Sequence, residues 1–225
     1  MKKLLLLSMA VVMALSACKQ NNEVPVPEVG AKKYYDVINI TPEGSQKIPF
    51  VSELVDLNDS TATYVNNYTL LDGSEFKDTI ISSNAGEASE VSMKAVFTRQ
   101  LMMFNRDSIE FVEGSEKVMY KEHIDENTVM DPARLVLKAK SNGTEVMIEL
   151  SVEERKVFPK EEVTTPAGTF KCIKFSENKV AKIGDEEFFN QTVAWYSIKN
   201  NVLVKQADYN KAGEPTMEVI LIKEE

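Results

Sequence analysis

The feature that most constrains the fold of this chain is an alternation of apolar and polar side chains with a period of two residues. It is cleanest in "TEVMIELSV", residues 144–152, where one face carries Val146, Ile148, Leu150 and Val152. Such alternation predicts a β-strand with one buried face. "RLVLKAK", residues 134–140, alternates as well, and "SNG", residues 141–143, joins the two runs. An Asn-Gly pair between alternating runs predicts a β-hairpin.

The same pattern recurs before and after this hairpin. Further strands are predicted at 32–40, 49–57, 62–70, 78–83, 108–122, 168–176, 192–198, 201–209 and 215–223. The polar stretch 177–191 is predicted to separate two of them, and turns are predicted at "TPAGT" (165–169), Asn200-Asn201 and "NKAGE" (210–214). Residues 86–104 are compatible with a strand and with a helix, because Met93, Phe97, Leu101 and Phe104 have helical spacing. A mainly β fold is expected: an antiparallel curved sheet or incomplete half barrel with at most one or two helices.

The N-terminus has the pattern of an export signal. Lys2 and Lys3 precede an apolar run of twelve residues, Leu4 to Leu15, which is shorter than the roughly 20 residues of a membrane-spanning helix. The run ends in "LSAC", residues 15–18, which looks like a bacterial lipobox. Residues 1–17 are therefore predicted to be a lipoprotein signal peptide and Cys18 the lipid attachment site. Acyl chains on Cys18 would anchor the chain to a membrane.

The residues after Cys18 divide into a tether and one domain. Residues 18–30 are polar and Pro-spaced, which predicts an extended, lipid-anchored tether, and 31–225 are predicted to form a single β domain. Lys19 and Gln20 stand where an Asp often retains lipoproteins at the inner membrane, so the outer membrane is the expected location by analogy, on either face. The net charge of −9 argues against nucleic acid as a partner.

The two cysteines are predicted to have separate fates. With Cys18 bound to lipid, Cys172 in "TTPAGTFKC" lacks an intramolecular disulfide partner and is expected to be a buried, unreactive thiol. A catalytic cysteine needs a histidine nearby, and the single histidine, His123, has no evident relation to it.

Motifs of catalysis and of metal or cofactor binding are not found, so no catalytic residue, metal site or cofactor is predicted. "HIDEN", with His123, Asp125 and Glu126, is interpreted as an exposed loop rather than a cation site. Glu153-Glu154 and Asp185-Glu186-Glu187 could serve glycoside hydrolysis only across a cleft, and solvated faces are the expectation.

A distinct signal comes from a motif in the last third of the chain. "VTTPAGTFKCIKF" followed by "WYSIKNNVLVKQADY" resembles the uncharacterised TapB-like family of Gram-negative envelope lipoproteins, over residues 163–223. "NNVLVK" replaces that family's usual "GVGLVK". The resemblance implies a curved antiparallel fold, related to the LolA/LolB lipoprotein carriers, and no catalytic residues. The matching residues, interpreted as hairpin packing, are Pro166, Gly168, Phe170, Cys172, Trp195 and Tyr196.

Two functions follow from these features. The first is non-enzymatic binding of an apolar ligand or an acylated partner in the concavity of the half barrel. Six methionines in the middle of the chain could line such a cavity, although ordinary core filling explains them as well: Met93, Met102, Met103, Met119, Met130 and Met147. The second is a structural or interaction subunit of an envelope protein complex.

Overall fold

The computed structural model describes residues 28–84, 88–101, 104, 109–121, 125–126, 128–141 and 144–225. Cys18 and its signal sequence lie outside the described residues, as does most of the predicted tether. His123 lies outside them as well.

The described residues form thirteen strands and two short helices. The strands are β1 Lys32–Thr41, β2 Gly44–Leu57, β3 Thr61–Thr69, β4 Glu75–Asn84, β5 Ala88–Ser92, β6 Glu110–Gly114, β7 Lys117–Lys121, β8 Ala133–Ser141, β9 Thr144–Thr165, β10 Gly168–Ile183, β11 Glu186–Ser197, β12 Leu203–Tyr209 and β13 Pro215–Glu224. The helices are α1 Met93–Val96 and α2 Thr98–Leu101.

All thirteen strands belong to one antiparallel sheet, in the order β6-β8-β9-β10-β11-β12-β13-β1-β2-β3-β4-β5-β7. Within the described residues the sheet is not closed, since β6 and β7 each pair with a single neighbour. One hydrophobic cluster joins side chains from both halves of this order, such as Tyr35 and Phe50 with Leu135 and Phe175. The sheet therefore curls around a shared core, and the predicted curved antiparallel fold is confirmed.

The chain crosses from one edge of the sheet to the other within two residues. Strands β6 and β7 are consecutive in sequence but occupy opposite ends of the strand order. Between them, Ser115 N–H donates to the Arg134 carbonyl at 2.8 Å, and Glu116 C=O accepts from Met93 N–H at 2.8 Å. Both edges of the sheet therefore meet at Ser115 and Glu116.

The predicted hairpin is present. Strands β8 and β9 pair in register from Ala133 opposite Val152 to Ser141 opposite Thr144, and the Asn142-Gly143 turn lies outside the described residues. Inward residues of β9 include Ile148, Leu150 and Val152, each fully buried. The alternation thus identified the first part of β9 and its buried face, while residues 153–165, for which the sequence predicts no strand, continue the same strand.

The prediction that the polar stretch 177–191 separates two strands as a loop is wrong. Strand β10 continues to Ile183 and β11 begins at Glu186, so a tight turn at Gly184 and Asp185 replaces the expected loop. Alternation of apolar side chains is lost here because two inward positions carry charges, Glu177 and Lys179. Backbone pairing with β9 and β11 holds the strand together through these residues.

Residues 88–104 combine both alternatives that the sequence left open. Strand β5 pairs with β4 and β7, and the chain then turns through α1 and α2. The four residues with helical spacing are all buried in the main core cluster: Met93, Phe97, Leu101 and Phe104. This segment therefore packs its apolar side chains onto the concave face of the sheet. Among the described residues, there is no helix of sufficient length and apolar character to cross a membrane.

Candidate functional site: a buried charged cluster

The inward face of β10 changes character halfway along the strand. Ile173, Phe175, Ala181 and Ile183 belong to the hydrophobic core, while Glu177 and Lys179 occupy the inward positions between them. Glu177 is fully buried, and the Lys179 side chain is 12% exposed. Ionised side chains are almost never fully buried without partners, so this position needs an explanation.

A β-bulge in β9 supplies the first partner. Ser176 pairs with Lys156 and Asn178 with Glu153, so Glu154 and Arg155 together oppose Glu177. Glu154 has a φ of 48°, in the left-handed region, which is typical of a bulge and costs a non-glycine residue about 1–2 kcal/mol. The extra residue shifts the inward alternation of β9 by one position, and Arg155 therefore faces the core.

Three side chains contact the Glu177 carboxylate. Tyr120 on β7 donates its hydroxyl to Oε1 at 3.0 Å and lies 3.2 Å from Oε2. Arg155 donates Nε–H to Oε2 at 3.2 Å, and the Lys179 ammonium is 3.5 Å from Oε1. A buried carboxylate with this many donors has its charge balanced and its oxygen atoms hydrogen-bonded.

Arg155 also binds the edge strand at the other end of the sheet. Its Nη1 donates to the carbonyl of Met119 on β7 at 2.9 Å and to the carbonyl of Asp131 at 3.0 Å. Its guanidinium carbon lies 4.5 Å from the centre of the Tyr120 ring, which is a cation–π contact. The side chain is 1% exposed. Arg155 and Glu177 together hold β7 against β9 and β10.

The electrostatics keep the tyrosines of this region protonated. Burial, and next the charge of Glu177, raises the pKa of Tyr120 well above its usual range. Burial and the charge of Glu177 also raise the pKa of Tyr196. The Tyr120 hydroxyl therefore stays protonated and donates to Glu177 over the whole physiological pH range. Formation of a phenolate that could act as a base is disfavoured.

A second polar group continues the cluster on neighbouring strands. Thr192 faces Glu177 across the β10–β11 pair, and Asp208 faces Thr192 on β12. The Asp208 carboxylate accepts hydrogen bonds from Asn190 at 2.9 Å and Gln206 at 3.0 Å. Asp208 is thus held by neutral amides, one strand beyond Thr192.

Aromatic side chains frame the charged cluster. Tyr120, Phe175 and Tyr196 follow one another with ring centres 6.3 and 5.7 Å apart. Tyr35, Phe50 and Tyr68 stack at 4.9 and 4.8 Å on the other half of the sheet. The concave face is therefore an apolar surface, rich in aromatic rings, with its buried charges gathered at Arg155, Glu177, Lys179 and Asp208.

One donor of the cluster is left over. Arg155 Nη2 is buried and has no hydrogen-bond partner among the described residues, and the same holds for the buried hydroxyl of Tyr35.

The sequence did not single out Tyr120, Arg155, Glu177 or Lys179. The available signal was the pair of charges at inward spacing in "SENKVA", whereas the bulge that turns Arg155 inward has no signature in the residues around it.

The residues of the TPAGTF motif lie at the turn between β9 and β10. Pro166 and Ala167 form the turn, and Gly168 has a φ of 133°, which an L side chain rarely adopts. Phe170 is half-buried and packs against the main core. Cys172 is free, fully buried and on the outward side of β10, and burial raises the pKa of its thiol to about 11.

The Trp-Tyr pair of the motif points to opposite faces of β11. Trp195 faces outward between Lys174 and Lys205, whose ammonium groups lie 5.2 and 5.8 Å from its ring, and its indole N–H donates to Glu161. Tyr196 faces inward and is buried beside Phe175. The structure therefore brings Tyr196 close to the charged cluster and leaves the other motif residues outside it.

A groove of about 530 Å³ on the outer face of the sheet is lined by several carboxylates that the sequence analysis considered for glycoside hydrolysis. Its lining includes Glu153, Glu154 and Glu187, together with Glu149. A hydrogen bond from Arg134 lowers the pKa of Glu149, and one from Lys211 lowers the pKa of Glu187. A general acid of a glycosidase needs a raised pKa, so these two carboxylates are poorly suited to that role.

The remaining candidates lie apart from the cluster. Asp125 and Glu126 are exposed, and no group of three or more metal-ligating side chains occurs among the described residues. Of the mid-chain methionines, Met93 and Met130 are buried, Met119 and Met147 are 41% and 50% exposed, and Met102 and Met103 lie outside the described residues.

The fold and its site define the chain as an antiparallel β protein with a buried charged cluster. Comparison with family models then identifies the family. A model of the DUF3108-like family matches residues 50–221, and the chain belongs to this family. The match includes every residue of the charged cluster. The narrower resemblance to TapB-like proteins and to LolA/LolB carriers stays a prediction.

Two solved structures have a similar fold. One is a Bacteroides fragilis protein described as exported, with a YmcC-like fold: it is 21% identical, with 90% of this chain and 98% of that chain covered and a TM-score of 0.60. The other is a Parabacteroides distasonis protein described as a lipoprotein: it is 19% identical, with 92% and 100% covered and a TM-score of 0.65. No curated protein matches the chain.

Proposed function

We propose that this protein is a lipid-anchored, non-enzymatic protein of the cell envelope that binds an apolar ligand, or the acyl chain of a partner, on the concave face of its sheet. The observation that carries the proposal is the combination, within the described residues, of an aromatic-rich concave face with a buried charged cluster. Sites for small amphiphilic molecules have this composition, a mostly apolar lining with a few placed polar groups.

Export and lipid anchoring are supported by two independent features. "LSAC" ends the apolar N-terminal run, and the similar structures come from proteins described as exported and as a lipoprotein. Substituting Cys18→Ala should remove the mass of the acyl groups and release the protein from the membrane fraction. A protein that stays in the outer-membrane fraction without Cys18 would contradict the anchor.

The non-enzymatic character is supported by the chemistry of the cluster. Glu177 accepts hydrogen bonds from Tyr120 and Arg155 and lies beside Lys179, so its lone pairs are engaged. Tyr120 and Tyr196 have raised pKa values, which favours hydrogen bonding over proton abstraction. Such a cluster suits positioning and binding better than acid–base catalysis.

A ligand on the concave face would lie beside the α1–α2 segment. Met93, Phe97, Leu101 and Phe104 already pack into the core from this segment, so the ligand must insert next to them or displace them. Purification of the anchored protein under native conditions, followed by organic extraction and mass spectrometry, tests the proposal. We expect a non-covalent lipid in stoichiometric amount, and its absence from every preparation would overturn ligand binding.

The packing of α1 and α2 also favours a second candidate, the interaction subunit of an envelope complex. If their side chains fill the concave face permanently, binding must use the outer surface. Crosslinking in intact cells should then recover a specific partner protein, and recovery of no partner would contradict this candidate. The lipid extraction distinguishes the two functions.

A further inference from the structure

The strongest unexplained feature of the interior is the free end of the Arg155 guanidinium. An arginine has five N–H donors, and the hydrogen bonds of Arg155 use Nε and Nη1. Nη2 is buried without a hydrogen-bond partner among the described residues. Leaving a buried donor unpaired is costly, and more so on a charged group. The position is thus suited to an acceptor that the described residues do not supply.

The charges around Nη2 favour an anion as that acceptor. Arg155 and Lys179 carry two positive charges, and Glu177 is the carboxylate that contacts both. Asp208 lies two strands from Glu177 and is bound by Asn190 and Gln206. The contact group of Arg155, Lys179 and Glu177 therefore has an excess of one positive charge in a buried setting, where charges interact strongly.

The concave surface supplies the remainder of the binding site. The Arg155 guanidinium lies over Tyr120, whose ring is followed by those of Phe175 and Tyr196. These rings are at most 2% exposed, so an acyl chain would pack along them by displacing neighbouring core side chains, while its head group reaches the guanidinium. The Tyr35 hydroxyl, also buried without a partner among the described residues, is a second donor on the same concave face.

From these observations we infer that Arg155 Nη2 receives the carboxylate or phosphate head group of an anionic amphiphile whose apolar chain lies on the concave face. The inference rests on the proposed function and specifies its ligand class. Carboxylate and phosphate oxygens both accept strong, charge-assisted hydrogen bonds from the N–H groups of Nη2, so the ligand is defined by its charged oxygens and its apolar chain.

The test uses the full, lipid-anchored protein in phosphatidylcholine nanodiscs, with three probes that carry a diazirine at the end of a ten-carbon chain. The probes are decanoate, decyl phosphate and decanol. After irradiation, peptide mass spectrometry measures labelling of the concave-face strands β10 and β11. We expect half-maximal labelling by at least one anionic probe at a concentration at least tenfold lower than by decanol.

Variants assign the selectivity to Arg155. Arg155→Gln with Glu177→Gln removes both charges and avoids an unpaired buried carboxylate, and we expect labelling by the anionic probes to fall to the decanol level. Arg155→Lys, which keeps the charge but changes the donor geometry, should reduce the selectivity at least threefold even if the double variant does not fold. Arg134→Gln with Glu149→Gln removes a comparable pair on the outer surface and should leave labelling unchanged.

Each failure has its own signature. Absence of specific labelling by all three probes overturns the proposed function itself. Equal labelling by decanol and the anionic probes overturns the anionic head group and leaves apolar binding intact. Selectivity that persists in Arg155→Lys and in the folded double variant overturns the assignment to Arg155. The relative labelling by decanoate and decyl phosphate identifies the preferred head group.

Discussion

At the scale of single residues, the buried ion pair of Arg155 and Glu177 is not explained by the stability that it adds to the fold. Both side chains are at most 1% exposed, and burying such a pair is often no more stable than an apolar pair of the same volume. Their contacts reach from β9 and β10 to the edge strand β7. The pair therefore fixes the position of the sheet edge and places charge in the core, although it adds little to the free energy of unfolding.

The first prediction concerns the removal of one partner. Arg155→Met should destabilise the protein by about 3–5 kcal/mol, because it leaves the Glu177 charge buried with fewer partners. Arg155→Met with Glu177→Leu should recover a large part of this loss. Urea unfolding followed by circular dichroism measures both. The matched control is Arg134→Met, which removes an exposed arginine from its ion pairs with Glu113 and Glu149 and should change the midpoint much less.

A second prediction concerns Cys172. Burial raises the pKa of its thiol to about 11, so at pH 8 the thiolate fraction is far smaller than for an exposed cysteine. In the anchored protein, with Cys18 acylated, a thiol-specific reagent should label Cys172 slowly under native conditions and rapidly in denaturant. The thiolate fraction rises with pH, so native labelling should accelerate between pH 8 and 11. Fast labelling at pH 8 would contradict the unreactive thiol.

At the scale of elements, the sequence predicted strands where apolar side chains alternate without interruption, but it predicted no strand over 153–165, which continue β9. Hairpin β8–β9 and the C-terminal strands follow alternation directly. The prediction failed at 177–191 because Glu177 and Lys179 face inward, and it could not locate Arg155 because a bulge reverses the alternation at Glu154. Charged inward residues and bulges are the two features that hide a strand from its hydrophobic pattern, and in this chain both belong to the candidate site.

The crossing between the two sheet edges gives an element-scale prediction. Gly114 has a φ of 98°, and a Cβ there would lie 2.2 Å from the Arg134 carbonyl oxygen. Gly114→Ala should therefore destabilise the protein on the order of 3 kcal/mol. Gly73, with a φ of 80° and open space around its Cα, is the matched control: Gly73→Ala adds only backbone strain, about 1 kcal/mol. Thermal unfolding compares the two, and equal effects would contradict a close approach at Gly114.

At the scale of the whole molecule, the last strand of the chain lies at the centre of the sheet. β13 is the seventh of thirteen strands and pairs with β12 and β1. The start and end of the described domain are hydrogen-bonded, since Lys32 N–H donates to the Glu225 carbonyl and Glu225 N–H to that of Lys32, each at 2.8 Å. The two halves of the sheet are therefore joined through the ten residues of β13. Residues 32–209 alone cannot form the complete sheet.

The final prediction follows from this order. Val219 on β13 is fully buried and pairs with Val37 and Gln206, so Val219→Pro removes a backbone donor at the centre of the sheet. We expect loss of the β signal in circular dichroism and accumulation of insoluble protein. Val112 on edge strand β6 is the matched control, since it sits in a register shift and is 46% exposed. Val112→Pro should fold, because edges and bulges tolerate proline. A folded Val219→Pro variant would mean that the two halves of the sheet are stable without β13. In that case the shared core and the Arg155–Glu177 contacts to β7 would suffice to hold the halves together.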